Sequence, residues 1–502
     1  LVKNMLFVFI ALGINLGISF FLTPYLIETV GIEAFGFFSL ANNFIAYASV
    51  ITLALNSMAG RFISISIHQQ NYERANHYFN SVFYSNLCIT FAILIASSVF
   101  IHFLDVVLNI SQNLVNEIKL LFALVLLNFA LNTIGSSFTV ATFAHNRLDL
   151  NSRRKIEGNI LRVIILIFMF SFLTPSVSFI AISILMMSGY VLCFNIYYVR
   201  KFTPQLKLNM RFISIRRIKE VFLAGVWNSI SKLGYILLEG VDLLFANLFL
   251  NPTIMGVLAV AKILPNVVVG IVGSLSGVFS PDFTHHYAVG DNEVLVDTVR
   301  IAIKIMGIIT NLLLSTIIVF GLDFYNLWIP NQNTEQVYIL TILSLNSLLV
   351  SGCINCLFNI FTVTNRVRSH AVVVLSTSIL STLLVITALQ FTDYGVYAIA
   401  GISPIIGIFR HFLFTIPYGS RCLGIKWYSL YIEVGKSVIS LAIICGFGYI
   451  FKSLIVISSW LSLFVCIIIC SVITIILNTF FITTKKQRII LLEKSKSVLK
   501  SI

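Results

Sequence analysis

Apolar runs of about 20 residues, the length a helix needs to cross the hydrocarbon core of a bilayer, alternate with short polar segments along the whole chain. Fourteen such runs are delimited, the first seven at 4–27, 36–60, 79–104, 117–144, 156–173, 176–199 and 221–248. The other seven lie at 253–280, 299–321, 337–363, 370–389, 394–418, 432–452 and 457–480. The pattern predicts an all-α polytopic membrane protein of about 14 transmembrane helices.

Polar positions inside the seventh run set it apart. Asn228, Lys232, Tyr235, Glu239 and Asp242 recur at i, i+4, i+7, i+11 and i+14, which at about 100° per residue places all five on one helical face. A charge near the bilayer centre costs roughly 2.5 to 3.5 kcal/mol even on the lenient insertion scale. A face bearing three charges is therefore expected to line a central polar cavity rather than meet lipid. The first run holds Gly13-Ile-Asn-Leu-Gly17, a GxxxG pair expected to permit close helix contact around Asn15, and Pro24 is expected to kink its outer end.

Composition agrees: 58% of the 502 residues are hydrophobic and 10% are charged, with a mean hydropathy of +0.98, outside the range of soluble domains. The net charge of +14 would suggest nucleic acid in a soluble protein, but its distribution points elsewhere. Basic residues concentrate in alternate connecting segments, with seven from Arg200 to Lys219 and six from Lys485 onward, whereas the other set of loops retains Lys452. By the positive-inside rule both termini are expected in the cytoplasm, with an even number of spans. The basic balance then reflects orientation and anionic lipid, not nucleic acid. The first run is read as a retained helix, not a cleaved signal. The eight cysteines support no disulfide framework, and Cys353 and Cys356, though spaced CxxC, are read as small apolar filler.

The chain also resembles itself. A shift of 220 sets 35–41 on 255–261 and Asn71-Tyr-Glu73 on Asp291-Asn-Glu293; a shift of 219 sets Asn146-Arg147 on Asn365-Arg366. Six spans separate the copies, so both have the same orientation. The expected organisation is two parallel six-helix lobes around a central cavity: an N-terminal lobe over 1–199, a basic cytoplasmic linker over 200–220 and a C-terminal lobe over 221–431. Two additional helices at 432–480 and a basic cytoplasmic tail at 481–502 complete it.

Charges are concentrated in the second copy. Lys262 enters its helix about 10 Å from the outer end at 1.5 Å per residue, opposite uncharged Asn42 in the first copy, and Arg410 lies deep in the twelfth run. Arg61 marks the inner mouth of the second. No complete phosphate loop is present, because Gly419 to Gly424 is followed by Ile425-Lys426, so ATP hydrolysis is not expected. The outer loop read at 322–336 has no Arg, Lys or His, leaving an enzyme acting on lipid-linked sugars without an evident site.

The pattern of Pro24, then Gly31-Ile-Glu-Ala-Phe-Gly36-Phe-Phe-Ser-Leu-Ala41, then Asn56-Ser-Met-Ala-Gly-Arg61, together with Asp242-Leu-Leu-Phe-Ala-Asn-Leu and Gly256-Val-Leu-Ala-Val-Ala261, resembles the bacterial polysaccharide flippases of the Wzx type. These belong to the multidrug, oligosaccharidyl-lipid and polysaccharide exporter superfamily. The resemblance implies an inner-membrane flippase that moves an undecaprenyl-diphosphate-linked oligosaccharide, such as an O-antigen repeat unit, from the cytoplasmic to the periplasmic face by alternating access. Of the family's motif residues, Arg61 and Asp242 carry over. Phe35 stands where the motif commonly has Tyr, which weakens a role for a hydroxyl there.

On this reading Arg61, Lys232, Lys262, Arg410, Asn228 and Tyr235 are candidate substrate-binding residues, with Lys232, Lys262 and Arg410 meeting the diphosphate, the neutral groups the sugar, and Arg61 at the inner mouth. Glu239 and Asp242 are the candidate ion-coupling pair, for H+ or Na+. No cofactor, metal site or catalytic residue is expected. The expected partners are the lipid-linked oligosaccharide, membrane lipids, and glycan polymerase and chain-length components. Two alternatives stand beside it: a proton- or sodium-coupled antiporter of drugs or small cations in the same superfamily, and a non-transporting scaffold of a glycan-assembly complex.

Overall fold

The computed structural model describes residues 2–482; the expected basic tail from residue 483 on, and the Asn15 side chain, lie outside what is described. The long helical segments are α1 (Val2–Val30), α2 (Ile32–His68), α3 (Tyr72–His102), α4 (Gln112–Ala144), α5 (Leu148–Phe172), α6 (Ser178–Phe202) and α7 (Ile215–Leu250). They continue with α8 (Pro252–Val289), α9 (Asn292–Trp328), α10 (Thr334–Leu345, Leu348–Ile354 and Leu357–Val363), α11 (Val367–Phe391), α12 (Val396–Cys422), α13 (Tyr431–Ser453) and α14 (Trp460–Ile482). Among the described residues 11 helices are long and apolar enough to cross a membrane, or 12 if the bent pair in α10 is one span. The count of 14 is thus not reached on that measure. α5 stays outside it because Lys155, Glu157 and Arg162 interrupt its apolar stretch. Those charges are partly paired: Glu157 accepts from Arg153 Nε at 3.1 Å, Arg154 Nη1 at 2.5 Å and the Tyr190 hydroxyl at 2.7 Å.

Many helices extend beyond their apolar runs into polar first and last turns, and a few of these begin on side-chain caps. Asn71 accepts from Arg74 N at 2.9 Å and Asp291 accepts from Val294 N at 3.2 Å. These two caps are 220 residues apart, and the residues before them, Gln70 at φ 56° and Gly290 at φ 81°, both adopt the left-handed conformation. Asn146 at φ 52° and Asn365 at φ 54° repeat the effect at an offset of 219. Asn and Gly tolerate this region best, so the internal repeat is written into the turns as well as the spans.

Two compact units are formed, Leu1–Ala259 and Val260–Ile502. A repeat is defined by sequence correspondence and a compact unit by packing, which is why α7, the first helix of the second copy, packs against α2 in the first unit. There a Cβ on Gly225 would stand 1.9 Å from the Ala54 carbonyl oxygen, so backbone meets backbone at that crossing. The core beside it gathers Leu55, Ile63, Tyr78, Phe79, Val82 and Phe138. The expected close contact at Gly13 and Gly17 is absent among the described residues, with nothing within 4 Å of a Cβ built on either, and α1 runs through Pro24 as one helix.

The segment between α6 and α7 is a strap fastened to α3. Asn76 Nδ2 donates to Gln205 O and its Oδ1 accepts from Lys207 N; Asn80 Nδ2 donates to Lys207 O and its Oδ1 accepts from Asn209 N, all at 2.8–2.9 Å. Two amides thereby satisfy successive backbone groups of a segment that has no helix or sheet partner. Tyr78, fully buried, donates to Glu220 Oε2 at 2.7 Å, and Arg217 closes on the same carboxylate at 2.8 Å.

In the second unit α9 is joined to α13 and α14 by polar contacts along its length. Lys304 meets Glu433 at 3.5 Å, and Asn311 Nδ2 donates to Ser437 O at 2.9 Å and Asn478 Oδ1 at 3.1 Å. At the other end Lys452 pairs with Asp323 at 2.5 Å. α9 continues to Trp328, so the outer loop expected at 322–336 is reduced to the few residues before Thr334. Cys353 and Cys356 pack with Ile354 and Leu357 inside the apolar core, as small filler would.

Candidate functional site

Regular helix ends in α7 at Tyr235, and a π-helical turn over Ile236–Gly240 follows, then a short α turn over Asp242–Phe245 and a second π turn over Ala246–Leu250. The Val241 N to Ile236 O bond at 3.1 Å spans five residues, so each later side chain is displaced from the 100° progression. This breaks the single polar face expected from the sequence. Asn228, Lys232 and Tyr235 keep it and are half-buried, whereas Glu239 turns to an exposed position and Asp242 is buried at 4% exposure. The two carboxylates thus occupy unlike surroundings.

The π turn leaves the Gly240 carbonyl outside the regular ladder, and α2 supplies its donors: Asn43 Nδ2 at 2.9 Å and the Tyr47 hydroxyl at 2.6 Å. Asp242 lies within electrostatic reach of that same Tyr47. Further along, Ser229 Oγ donates to Val50 O at 2.9 Å and Asn228 Nδ2 to Ser57 Oγ at 3.2 Å. Lys232 stands between these two levels and makes no ion pair or hydrogen bond among the described residues. Arg61 is exposed, one turn beyond Ser57 on α2.

Lys262 and Arg410 belong to the second unit. Lys262 is the residue at which α8 breaks, between Pro252–Ala261 and Ile263–Gly277. The carbonyl of Ala261, released at that break, accepts from Thr341 Oγ1 at 3.0 Å, and Thr341 is held by the buried Tyr325 hydroxyl at 2.9 Å. Arg410 is 5% exposed and is the last regular residue before a π turn over His411–Thr415. Its Nη2 lies 3.4 Å from His411 Nε2, and His411 Nδ1 lies 3.2 Å from Thr415 Oγ1. His370 and His411 both pack against Phe358, with ring centroids at 5.0 and 6.5 Å.

One rule joins the charges of the two units: Lys232, Glu239, Asp242, Lys262 and Arg410 all stand in, or within one turn of, a departure from α-helical hydrogen bonding. Irregular backbone at membrane depth is tolerated where it is buried in protein or lines a cavity, and broken helices of this kind carry the binding sites of many transporters. Sequence reasoning passed over Asn43, Tyr47 and Ser57, although their own helical spacing was readable: Asn43, Tyr47, Ala54, Ser57 and Arg61 recur at i, i+4, i+11, i+14 and i+18 on α2. It also missed His411, whose place beside Arg410 is plain in the sequence but whose burial is not. Among the described residues no group of three or more His, Cys, Asp or Glu is arranged to hold a metal.

The family described as polysaccharide biosynthesis protein matches residues 1–285. An uncharacterized membrane protein, EpsK of Bacillus subtilis (strain 168), is 30% identical over 412 residues, which is 82% of this chain and 81% of the relative. Among solved structures, the lipid II flippase MurJ in an inward closed conformation superposes with a TM-score of 0.68 at 13% identity, covering 96% of this chain and 99% of that one. An inward-facing multidrug resistance MATE family transporter of the MOP superfamily gives 0.62 at 13% identity, covering 82% and 94%. These structural neighbours are transporters and flippases, not enzymes.

Proposed function

The chain belongs to the polysaccharide biosynthesis protein family and shares its fold with a lipid II flippase and a MATE transporter, and from that premise we propose that it is a flippase that carries a polyprenyl-diphosphate-linked oligosaccharide across the bacterial cytoplasmic membrane by alternating access. The observation that supports this cargo most directly is the placing of Lys232, Lys262 and Arg410 at helix irregularities. A diphosphate crossing about 30 Å of hydrocarbon needs cations to replace its water, and guanidinium and ammonium groups are the side chains that bind phosphate oxygens best. The polyprenyl tail stays in lipid, while Asn228 and Tyr235 meet the sugar and Arg61 stands at the inner mouth. Glu239 and Asp242 supply the ion coupling, with H+ or Na+ as the ion. Both termini face the cytoplasm, and repeat units of an O-antigen or another surface polymer are the carried glycan. Glycan polymerase and chain-length components are the partners that receive it.

Deletion of the gene tests the reading. Undecaprenyl-linked repeat units should accumulate at the cytoplasmic face and the surface polymer should disappear. The acidic pair on α7 and the likeness to a MATE transporter favour a second reading as a cation antiporter; unchanged surface glycan together with increased sensitivity to cationic dyes would establish that one instead.

A further inference from the structure

Three contacts gather at one end of α2, the outer end by the charge asymmetry, and all lie within the first unit. At the first, a Cβ on Gly36 would stand 2.8 Å from Gly256 Cα, and one on Gly256 would stand 2.3 Å from the Ile32 carbonyl oxygen. These two glycines correspond in the internal repeat, 220 residues apart, so the first turns of α2 and α8 cross backbone against backbone. The second is reciprocal: Asn109 N donates to Asn247 Oδ1 at 3.0 Å, Asn109 Nδ2 to Asn247 O at 2.7 Å, and Asn247 Nδ2 to Asn109 O at 3.0 Å. The third ties the same loop to α2, with Ser111 N and Oγ donating to Glu33 at 3.2 and 2.9 Å.

We propose that the Gly36–Gly256 crossing and the Asn109–Asn247 pair form a releasable latch at the outer ends of α2, α7 and α8, whose opening admits the outer side to the polar stripe below. The inference rests on the transport reading. A crossing of two glycines has no interdigitated side chains to unlock, so it parts and closes as a unit, in contrast to a packed core, which resists graded deformation. The Asn109–Asn247 bonds are of the kind water replaces when the surfaces separate, which makes release reversible. Asn247 stands in the second π turn of α7, so the latch is continuous with the irregular segment bearing Glu239 and Asp242, and a change of charge there reaches it through one helix.

The test uses Ala46→Cys, a half-buried position on the stripe of α2 about 15 Å along the helix from Gly36. Labelling by a membrane-impermeant maleimide added from outside is read at that peptide by mass spectrometry, which leaves the native cysteines out of the readout. Gly256→Val wedges the crossing and should raise the labelling rate at least tenfold; Asn247→Ala, which introduces no bulk, should raise it several-fold. Oxidation of Asn109→Cys with Asn247→Cys should suppress labelling and stop transport until a reductant is added. Unchanged labelling in Asn247→Ala, or transport at the parental rate with the cross-link intact, overturns the latch. Labelling needs no cargo, so a wrong substrate assignment leaves this result standing, and a failed latch leaves the substrate assay unaffected.

Discussion

Replacing Asn80 by Ala removes a fully buried amide that makes three hydrogen bonds: to Asn76 O at 2.9 Å, to Lys207 O at 2.9 Å and from Asn209 N at 2.8 Å. Two of these hold the strap between α6 and α7. At a net value of about 0.5–1.5 kcal/mol each, their loss lowers the free energy of releasing the strap by roughly 1–3 kcal/mol. With about 1.4 kcal/mol per tenfold, the open population rises roughly 5- to 150-fold. Limited trypsinolysis reads this directly, because Lys207 and Arg211 are exposed on the strap, and cleavage tracks the open population when opening is fast relative to cutting. Cleavage after Arg421 and Lys426, exposed in another segment, should stay at the wild-type rate. Strap cleavage within twofold of wild type in a folded Asn80→Ala protein would refute the reasoning, showing that the amide pairs are incidental to its attachment.

Lys232→Ala should abolish flipping at normal expression while Lys232→Arg keeps part of it, as measured by surface polymer in a complemented deletion strain; full activity in the Ala variant would return Lys232 to a structural role. Glu239→Gln with Asp242→Asn should uncouple cargo movement from an imposed ion gradient in vesicles without preventing cargo binding, and gradient-driven movement that survives in the double variant would remove the pair from the coupling site. Gly225→Val forces a side chain onto the Ala54 carbonyl, and overpacking of this kind costs about 1–3 kcal/mol or more, so its melting temperature in detergent should fall clearly below that of wild type. Outside the spans, the hydrogen bond from Lys119 holds the Asp105 carboxyl below its ordinary range. A depressed carboxylate stabilises the fold above its unfolded pKa and stops doing so as pH falls through the lower folded value. Proteolysis of the loop around Asp105 should therefore increase on acidification, and Asp105→Asn should show that increase already at neutral pH.

The all-helical, membrane-spanning architecture was legible because a 20-residue apolar run is a constraint that the bilayer imposes on almost any sequence, although among the described residues 11 helices, or 12 with the bent pair, meet that measure rather than 14. The turns at Gln70, Asn146, Gly290 and Asn365 could also be placed, since they sit where the repeat aligns. The candidate site was less legible. The π turns of α7 and α12 leave no periodic trace: each shifts the register by a fraction of a turn, so Glu239 and Asp242 read as neighbours on one face but differ in burial. The strap reads as a basic linker because its charges are conspicuous, whereas the residues that fix it, Asn76 and Asn80, lie on another helix 129 residues away. The GxxxG pair of α1 suggests close helix contact, yet such contact occurs at single glycines, Gly36, Gly225 and Gly256, each identified only by what lies opposite.

The central claim is that this chain moves a lipid-linked anionic oligosaccharide from one leaflet to the other. It is tested most directly by reconstituting the purified protein into vesicles that carry a labelled polyprenyl-diphosphate oligosaccharide in one leaflet, and following its exposure to a membrane-impermeant glycosidase. The account predicts exposure well above that of protein-free vesicles, driven by an ion gradient and lost in Lys232→Ala. Exposure equal to that of protein-free vesicles with the gradient imposed and the protein folded would contradict it.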